Sequence, residues 1–92
     1  MKIGYARVST EEQNLDRQLD SLKEAGCEKI FREKITGTKK ERPELDKLME
    51  QLRSGDLIII SDLTRLSRSV KDLFSLVDQI EKKGANIKSL KE

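Results

Sequence analysis

Lys2-Ile-Gly-Tyr-Ala-Arg-Val-Ser-Thr10 is the stretch of sequence that decides the fold. Residues 3–8 predict a β-strand, and Ser9 stands where that strand stops. Thr10, with Gln13 three positions later, matches a capping box, so a helix is expected to begin here. The free N–H groups and the dipole at a helix N-terminus favour an anion. The pattern therefore places the Ser9 hydroxyl at an anion site.

Arg7 gives this turn a fixed positive charge. It stands two residues before Ser9, so in an extended strand both side chains point to the same side. A serine beside a fixed positive charge at an anion site indicates phosphate chemistry. The alternative interpretation is structural: Ser9 or Thr10 caps the helix, and Arg7 pairs with an acid. This stretch alone leaves both interpretations open.

The composition excludes several classes of protein. The chain has 92 residues, enough for one domain with a single core, and only 3% of them are aromatic. The core must therefore come from Leu, Ile and Val. There is no histidine, which excludes Ser-His-Asp and Cys-His catalysis and most zinc sites. The net charge of +2 is too small to indicate nucleic acid by itself.

Cysteine content, apolar runs and motifs bear on location and cofactors. Cys27 is the only cysteine, so a disulfide framework is excluded and a reducing cytoplasm fits. Without a signal peptide or an apolar run near about 18 residues, the chain is expected to be soluble and cytoplasmic, with no membrane partner. It has neither a Gly-Lys-Ser/Thr phosphate loop nor a carboxylate cluster with metal spacing, so no cofactor and no metal are expected.

Apolar spacing predicts three helices between four strands. The predicted strands are Ile3–Val8, Glu28–Glu33, Asp56–Ser61 and Asn86–Leu90. The predicted helices are Glu11–Ala25, one that opens at Arg42-Pro43 and ends at Ser54-Gly55, and one over about Val70–Lys83. Their expected buried positions are Leu15, Leu19, Leu22 and Ala25; Leu45, Leu48, Met49 and Leu52; and Leu73, Phe74, Val77 and Ile80. Gly26 and Gly84 stand where left-handed C-terminal caps are expected.

Strands that alternate with helices predict an α/β fold, a three-layer parallel sheet with helices on both faces. In such sheets the site lies beyond the carboxyl ends of the strands, where the strand order reverses. With the order 2-1-3-4, the turns after strands one and three meet. Topology therefore brings together Arg7, Ser9, Arg65 and Arg68. No acid partner is evident for these arginines, and their planar forks suit phosphate oxygens, so we expect a bound anion.

Two further features lie outside this convergence. Lys34–Glu41 predicts a mobile surface loop, whose lysines are interpreted as solvated charges. Arg42 follows it at a helix N-terminus and is a candidate for the site. Cys27 is interpreted as a small buried hydrophobe, because a phosphatase nucleophile would follow a strand and Cys27 precedes one.

In this combination of residues the sequence resembles the serine recombinases, the resolvase/invertase family. The resemblance rests on Tyr5–Thr10, on Gln13 and Gln18 in the following helix, on the loop Gly37–Arg42 and on Arg65–Arg68. It extends in order over all 92 residues. It implies a resolvase-like catalytic domain and a DNA strand transferase with no cofactor.

The resemblance also implies roles for individual residues. Ser9 would attack a DNA phosphodiester to form a 5′-phosphoserine link, followed by strand exchange and rejoining. Phosphate-binding arginines would stabilise the transition state, namely Arg7, Arg42, Arg65 and Arg68. Gln13 and Gln18 match positions near the same site. The partners implied are DNA and further copies of the chain, a dimer that becomes a tetramer when active.

Two departures from the family pattern stand out. Thr64 occupies a position where members often have Asp, and Asp62 is a candidate substitute. The family's catalytic domain also continues beyond the matched region with a dimerisation helix, usually followed by a DNA-binding domain. We therefore expect residues 1–92 to be the N-terminal part of a longer catalytic domain, inactive by itself.

Two other classes of function remain open from the residues. The first is a phosphate- or nucleotide-binding module of similar topology, in which Ser9 is only a ligand. The second is a non-catalytic interaction module. The sequence does not identify a base that would deprotonate Ser9.

Overall fold

The computed structural model describes residues 1–9, 15–35, 43–63, 66 and 69–91, and for residues 8, 9, 15, 34 and 35 it describes the backbone alone. Four strands and three helices alternate along the chain. In order they are β1 (Lys2–Ser9), α1 (Leu15–Glu24), β2 (Lys29–Ile35), α2 (Pro43–Gln51), β3 (Leu57–Ile60), α3 (Val70–Lys82) and β4 (Asn86–Ser89). The strands form one parallel sheet in the order β2-β1-β3-β4. The predicted fold class and strand order are confirmed.

Helices cover both faces of the sheet. The larger apolar cluster joins α2 and α3 to one face, with the buried side chains Ile3, Tyr5, Phe31, Leu45, Leu48, Leu52, Ile58, Ile60, Leu66, Ile80 and Ala85. The smaller cluster packs α1 on the other face through Ala6, Leu22 and Ile59. Side chains of β1 and β3 alternate between the two clusters, as the two-residue period of a strand requires. None of the helices in the described ranges is long and apolar enough to cross a membrane.

The central strand β1 extends beyond its ladder with β3. It pairs with β2 along its length, from Ile3 opposite Lys29 to Ser9 opposite Ile35. With β3 the pairing reaches only Gly4 opposite Ile59. The β1–β3 ladder therefore ends well before the end of β1, and the region beyond its last pair, between the carboxyl ends of these two strands, is called the fork below. β2 also extends two residues beyond the predicted Glu33, because β1 continues to provide ladder partners.

One residue predicted for the buried face of α3 does not belong to it. Ile80 is fully buried, and Leu73 and Leu76 pack against the larger cluster, but Phe74 is 70% exposed. The prediction that Phe74 is buried is wrong, because it lies about 100° around the helix from Leu73, away from the sheet. Val70, one turn earlier on the Phe74 side, is 68% exposed. An apolar patch of α3 thus faces outward.

Gly84 confirms the expected cap after α3. Its φ of +80° lies in the left-handed region, and a Cβ there would stand 2.7 Å from Ser54 Oγ. Any larger residue at this position would meet both backbone strain and a clash. Gly26, with a φ of +90°, ends the α1 region in the same way.

Asp56 connects chain segments at the amino-terminal ends of the strands. Its Oδ2 accepts a hydrogen bond from Arg53 N at 2.9 Å, and its Oδ1 lies 3.3 Å from the Met1 ammonium. The hydrogen bond from Arg53 N contributes most to lowering the pKa of the Asp56 carboxyl, and the Met1 ammonium also lowers it. Partial burial raises this pKa, but the net result lies below the usual value. The side chain thus joins the start of β1 to the turn before β3.

Candidate active site

Arg7 and Ser9 lie at the carboxyl end of the central strand. Ser9 is the last residue of β1, and Arg7 is half-buried. Ile3 and Tyr5 belong to the α2–α3 face, and alternation along β1 places Arg7 on that same face. This is the edge at which topology predicts a site.

Gln18 reaches β1 from the opposite face. It lies on α1, is buried, and donates a hydrogen bond from Nε2 to the Arg7 carbonyl oxygen at 3.3 Å. This carbonyl lies beyond the last β1–β3 ladder pair, Gly4 opposite Ile59. Gln18 thus bonds to the main chain two residues before Ser9, and the structure brings together two of the predicted site residues.

Glu33 is a buried carboxylate that sequence reasoning did not single out. Its Oε1 accepts hydrogen bonds from Tyr5 Oη at 3.4 Å and from Leu45 N at 3.2 Å. Its Oε2 accepts a longer one from Glu44 N at 3.4 Å. These N–H groups belong to the first turn of α2, whose dipole favours a negative charge at that end. A charged group that is 4% exposed is therefore stabilised by a helix N-terminus.

Arg7 has an acidic neighbour as well. It stands opposite Glu33 in the parallel register of β1 and β2. Glu33 bonds to Tyr5, which lies on the same face as Arg7, so the guanidinium and the carboxylate belong to one face of adjacent strands. The sequence made no acid partner evident for the arginines, but the β1–β2 register places Glu33 opposite Arg7. The carboxylate side of the site is formed by β2, a strand that the sequence analysis did not connect with it.

The signal that could have revealed Glu33 was present in the sequence. Tyr5 follows the burial pattern of the central strand, and a buried tyrosine hydroxyl needs a hydrogen-bond partner. Glu33 stands opposite Arg7 in the β1–β2 register, two residues beyond Phe31, which is the register partner of Tyr5. Finding it required the exact register, which apolar spacing does not define.

The remaining predicted site residues lie outside the described part of the chain. They are Gln13, Arg42, Arg65 and Arg68; Thr64, at the departure from the family pattern, is also outside it. Their neighbours in sequence are described. α2 begins at Pro43, directly after Arg42, and Leu66 is fully buried in the larger cluster. Asp62, the candidate substitute carboxylate, is half-buried two residues after β3.

Cys27 has the properties of a packing residue. It is partly buried beside Gly4, where a Cβ would stand 3.1 Å from its Sγ. Burial raises the pKa of the Cys27 thiol, with nearby Lys2 opposing the shift, so the thiolate is disfavoured. Among the residues that the structure describes, no group of Cys, Asp and Glu side chains is arranged to hold a metal ion.

Comparison with known proteins gives one consistent result. Residues 2–92 match the family model "Resolvase, N terminal domain". The chain is 57% identical to a resolvase of Clostridium perfringens. The match covers 100% of this chain and 50% of that resolvase. It is 51% identical to the transposon Tn552 resolvase of Staphylococcus aureus, covering 47% of it. It is 47% identical to the serine recombinase gin of Escherichia phage Mu, with 98% of the chain covering 47% of gin.

Solved structures agree with these similarities. The N-terminal catalytic domain of TP901-1 integrase superposes with a TM-score of 0.81 at 30% identity, over 98% of this chain and 77% of that one. The catalytic domain of ISC1926 TnpA, an IS607-like serine recombinase, shares the fold with a TM-score of 0.84 at 23% identity, over 99% of this chain and 67% of that one. The chain spans about half the length of the curated relatives that it matches.

Proposed function

The chain belongs to the resolvase family of serine recombinases and matches the catalytic domain of that family, and from this we propose that it provides the active site of a site-specific DNA recombinase. In this proposal Ser9 is the nucleophile. Its hydroxyl oxygen forms a bond to phosphorus, and the bond between phosphorus and the 3′ oxygen of the DNA breaks. The result is a 5′-phosphoserine and a free 3′ hydroxyl, with the Ser9 proton lost and a proton gained by the 3′ oxygen.

Storing the phosphoryl group on Ser9 makes the reaction reversible. A 3′ hydroxyl from another strand attacks the phosphoserine, restores a phosphodiester and releases Ser9. The number of phosphoester bonds is unchanged by this exchange, so no nucleotide cofactor is needed as a source of energy. The chemistry thus requires positioned charge around the phosphoryl group, which is the main contribution of proteins to phosphoryl transfer.

Four arginines are proposed to supply that charge, namely Arg7, Arg42, Arg65 and Arg68. Arginine remains protonated at any working pH and binds two phosphate oxygens at once through its planar fork. Gln13 and Gln18 are proposed as their neighbours in the site. For Arg7, Gln18 holds the main-chain carbonyl, and Glu33 provides a carboxyl group in register on β2.

The observation that carries this proposal is the arrangement at the end of β1. A half-buried arginine precedes Ser9 by two residues, its main chain is held by a buried glutamine, and its register partner is a buried carboxylate. A helix cap alone would need none of these groups. Proteins named resolvase and serine recombinase, similar over this entire stretch, add support.

The proposed partner is DNA, and the proposed active assembly is a tetramer formed from dimers in the cytoplasm. The matched relatives have about as much chain again as the region that residues 1–92 cover. DNA affinity depends on many phosphate contacts, each of which releases counterions. We therefore propose that residues 1–92 without such additional chain bind no specific DNA site at physiological salt and are inactive alone.

A phosphate-binding module is the competing proposal, and covalent chemistry separates the two. A chimera would join residues 1–92 to the remaining half of the Staphylococcus aureus Tn552 resolvase, which is 51% identical over the exchanged region. Incubation with the DNA site of that transposon, followed by denaturation, should leave protein attached to a 5′ end. A module that only binds phosphate would leave no covalent product, even where gel-shift shows that the DNA is bound.

A further inference from the structure

Two buried polar atoms lack a protein partner, one on a residue that bonds to the end of β1 and one on the residue that follows β3. They are Gln18 Oε1 and Ser61 Oγ, and neither has a hydrogen-bond partner in the described structure. An unpaired buried polar atom destabilises a fold, so two in one small domain require an explanation.

Both atoms have defined positions. Gln18 Nε2 faces the Arg7 carbonyl oxygen, which only a donor can satisfy, so the other amide atom must be the acceptor oxygen. Ser61 is held by its main chain, since its carbonyl oxygen accepts a hydrogen bond from Lys91 N at 2.9 Å. Rotation of the amide or movement of the strand end would break one of these bonds.

Register and alternation place Ser61 on the face of the sheet that α1 covers, the face from which Gln18 bonds to β1. The β1–β3 register runs from Lys2 opposite Leu57 to Gly4 opposite Ile59, and its continuation brings Ser61 level with Ala6. Ile59 and Ala6 both pack on the α1 side. Ser61 comes two residues after Ile59, so the two-residue period directs it to the same side, where Gln18 lies.

The chemistry of the two atoms is complementary to a single small ligand. An amide oxygen accepts a hydrogen bond, and a serine hydroxyl can both donate and accept. A water molecule can donate to Gln18 Oε1 and still bond to the hydroxyl, and buried waters commonly join such otherwise unpaired groups.

We propose that a buried water binds in the fork between Gln18 Oε1 and Ser61 Oγ and joins β1 to β3 where their ladder has ended. The water replaces the missing strand-to-strand hydrogen bonds. One consequence rests on the proposed function. If that function holds, the water links the end of β1, which carries Arg7 and Ser9, to β3, which precedes Arg65 and Arg68 in the chain.

The sign of one substitution tests the proposal in the 92-residue chain. With a bridging water, Ser61→Ala removes one of the ligands of that water, and we expect the melting temperature to fall by about 3–8 °C. With a dry fork, the same change removes an unpaired hydroxyl and leaves the melting temperature unchanged or higher, which would overturn the proposal. Ser54→Ala, which removes an exposed hydroxyl in the turn before β3, is the control and should change little.

A double-mutant cycle tests the bridge itself. Gln18→Met removes the acceptor along with the bond to Arg7, so the water is already lost in that background. Ser61→Ala should then lower the melting temperature by less than half as much as in the parent chain, whereas an undiminished effect would contradict a shared water. If Gln18→Met does not fold, a high-resolution crystal structure of the parent chain decides: density within hydrogen-bond distance of both atoms is expected, and its absence from a well-ordered fork overturns the site.

Discussion

Gln18 on α1 and Arg7 on β1 are joined by a hydrogen bond from the Gln18 side-chain amide to the Arg7 carbonyl oxygen, over 3.3 Å. The bond crosses from a helix to the main chain of the central strand, where the neighbouring strand no longer provides a partner. It therefore fixes the path of the backbone that leads to Ser9. A side chain recognised only as part of a sequence motif thus has a definite structural task.

Gln18→Ala should lower stability, because it leaves the Arg7 carbonyl oxygen without its donor. We expect a loss of about 1–3 kcal/mol, measured by urea unfolding. Gln79→Ala is the matched control, since the Gln79 amide bonds to Ser75 on the exposed side of α3. Equal effects of the two changes would mean that Gln18 does not hold β1.

Glu33→Ala should destabilise the junction of β1, β2 and α2. The change leaves Tyr5 Oη and two N–H groups of α2 without their acceptor, and we expect a loss of about 1–3 kcal/mol in unfolding free energy. Glu33→Gln keeps acceptor capacity but removes the charge at the helix N-terminus, so its loss should be smaller. The exposed Glu28→Ala provides the reference. An effect of Glu33→Ala no larger than that of Glu28→Ala would contradict the capping role.

Asp56 should make stability fall in acid. Its pKa in the folded chain lies below the ordinary value of 3.8, so its contribution is fully present above that value. The contribution is lost as the pH falls through the lower, folded pKa, because protonation must then weaken the bonds to Arg53 N and the Met1 ammonium. Thermal unfolding between pH 2 and 7 should show a shallower acid decline for Asp56→Asn than for the parent chain. Identical pH profiles would show that Asp56 does not contribute.

Phe74 should matter for association and not for folding. Because it is 70% exposed, Phe74→Ser should change unfolding free energy by less than about 0.5 kcal/mol, whereas Ile80→Ala, at a fully buried position, should cost about 2–5 kcal/mol.

Phe74 and Val70 form an outward apolar patch on α3, and such surface favours association. We expect light scattering to show self-association of the 92-residue chain that Phe74→Ser reduces. A parent chain that stays monomeric at all concentrations would refute this expectation.

Much of the fold could be predicted because its signals are local. The unbroken apolar run from Leu57 to Ile60 indicated a strand covered on both faces, and the glycines at 26 and 84 marked the ends of α1 and α3. Alternating elements then restricted the topology to a few possibilities. Phe74 shows the limit of this reasoning, because apolar spacing identifies a helix but does not decide which of several apolar residues faces the sheet.

The site was predictable to a smaller extent. Arg7 and Ser9 were evident as candidates because alternate positions on one strand carried their chemistry, and Gln18 came from the family resemblance. Glu33 was not found, because its role depends on the register of β1 with β2 and on the distance between β2 and the start of α2. Such relationships are long-range and leave no periodic pattern in the sequence.

Covalent attachment of DNA to Ser9 tests the central claim most directly. In the chimera with the Tn552 resolvase, tryptic digestion of the denatured protein–DNA product and mass spectrometry should locate a phosphorylated nucleotide on Ser9. Ser9→Ala should form no such product while it still shifts DNA in a gel, and Thr10→Ala, which removes at most a helix cap, should still form it. Formation of the adduct by Ser9→Ala at the parent rate, or its location on another residue, would contradict the account.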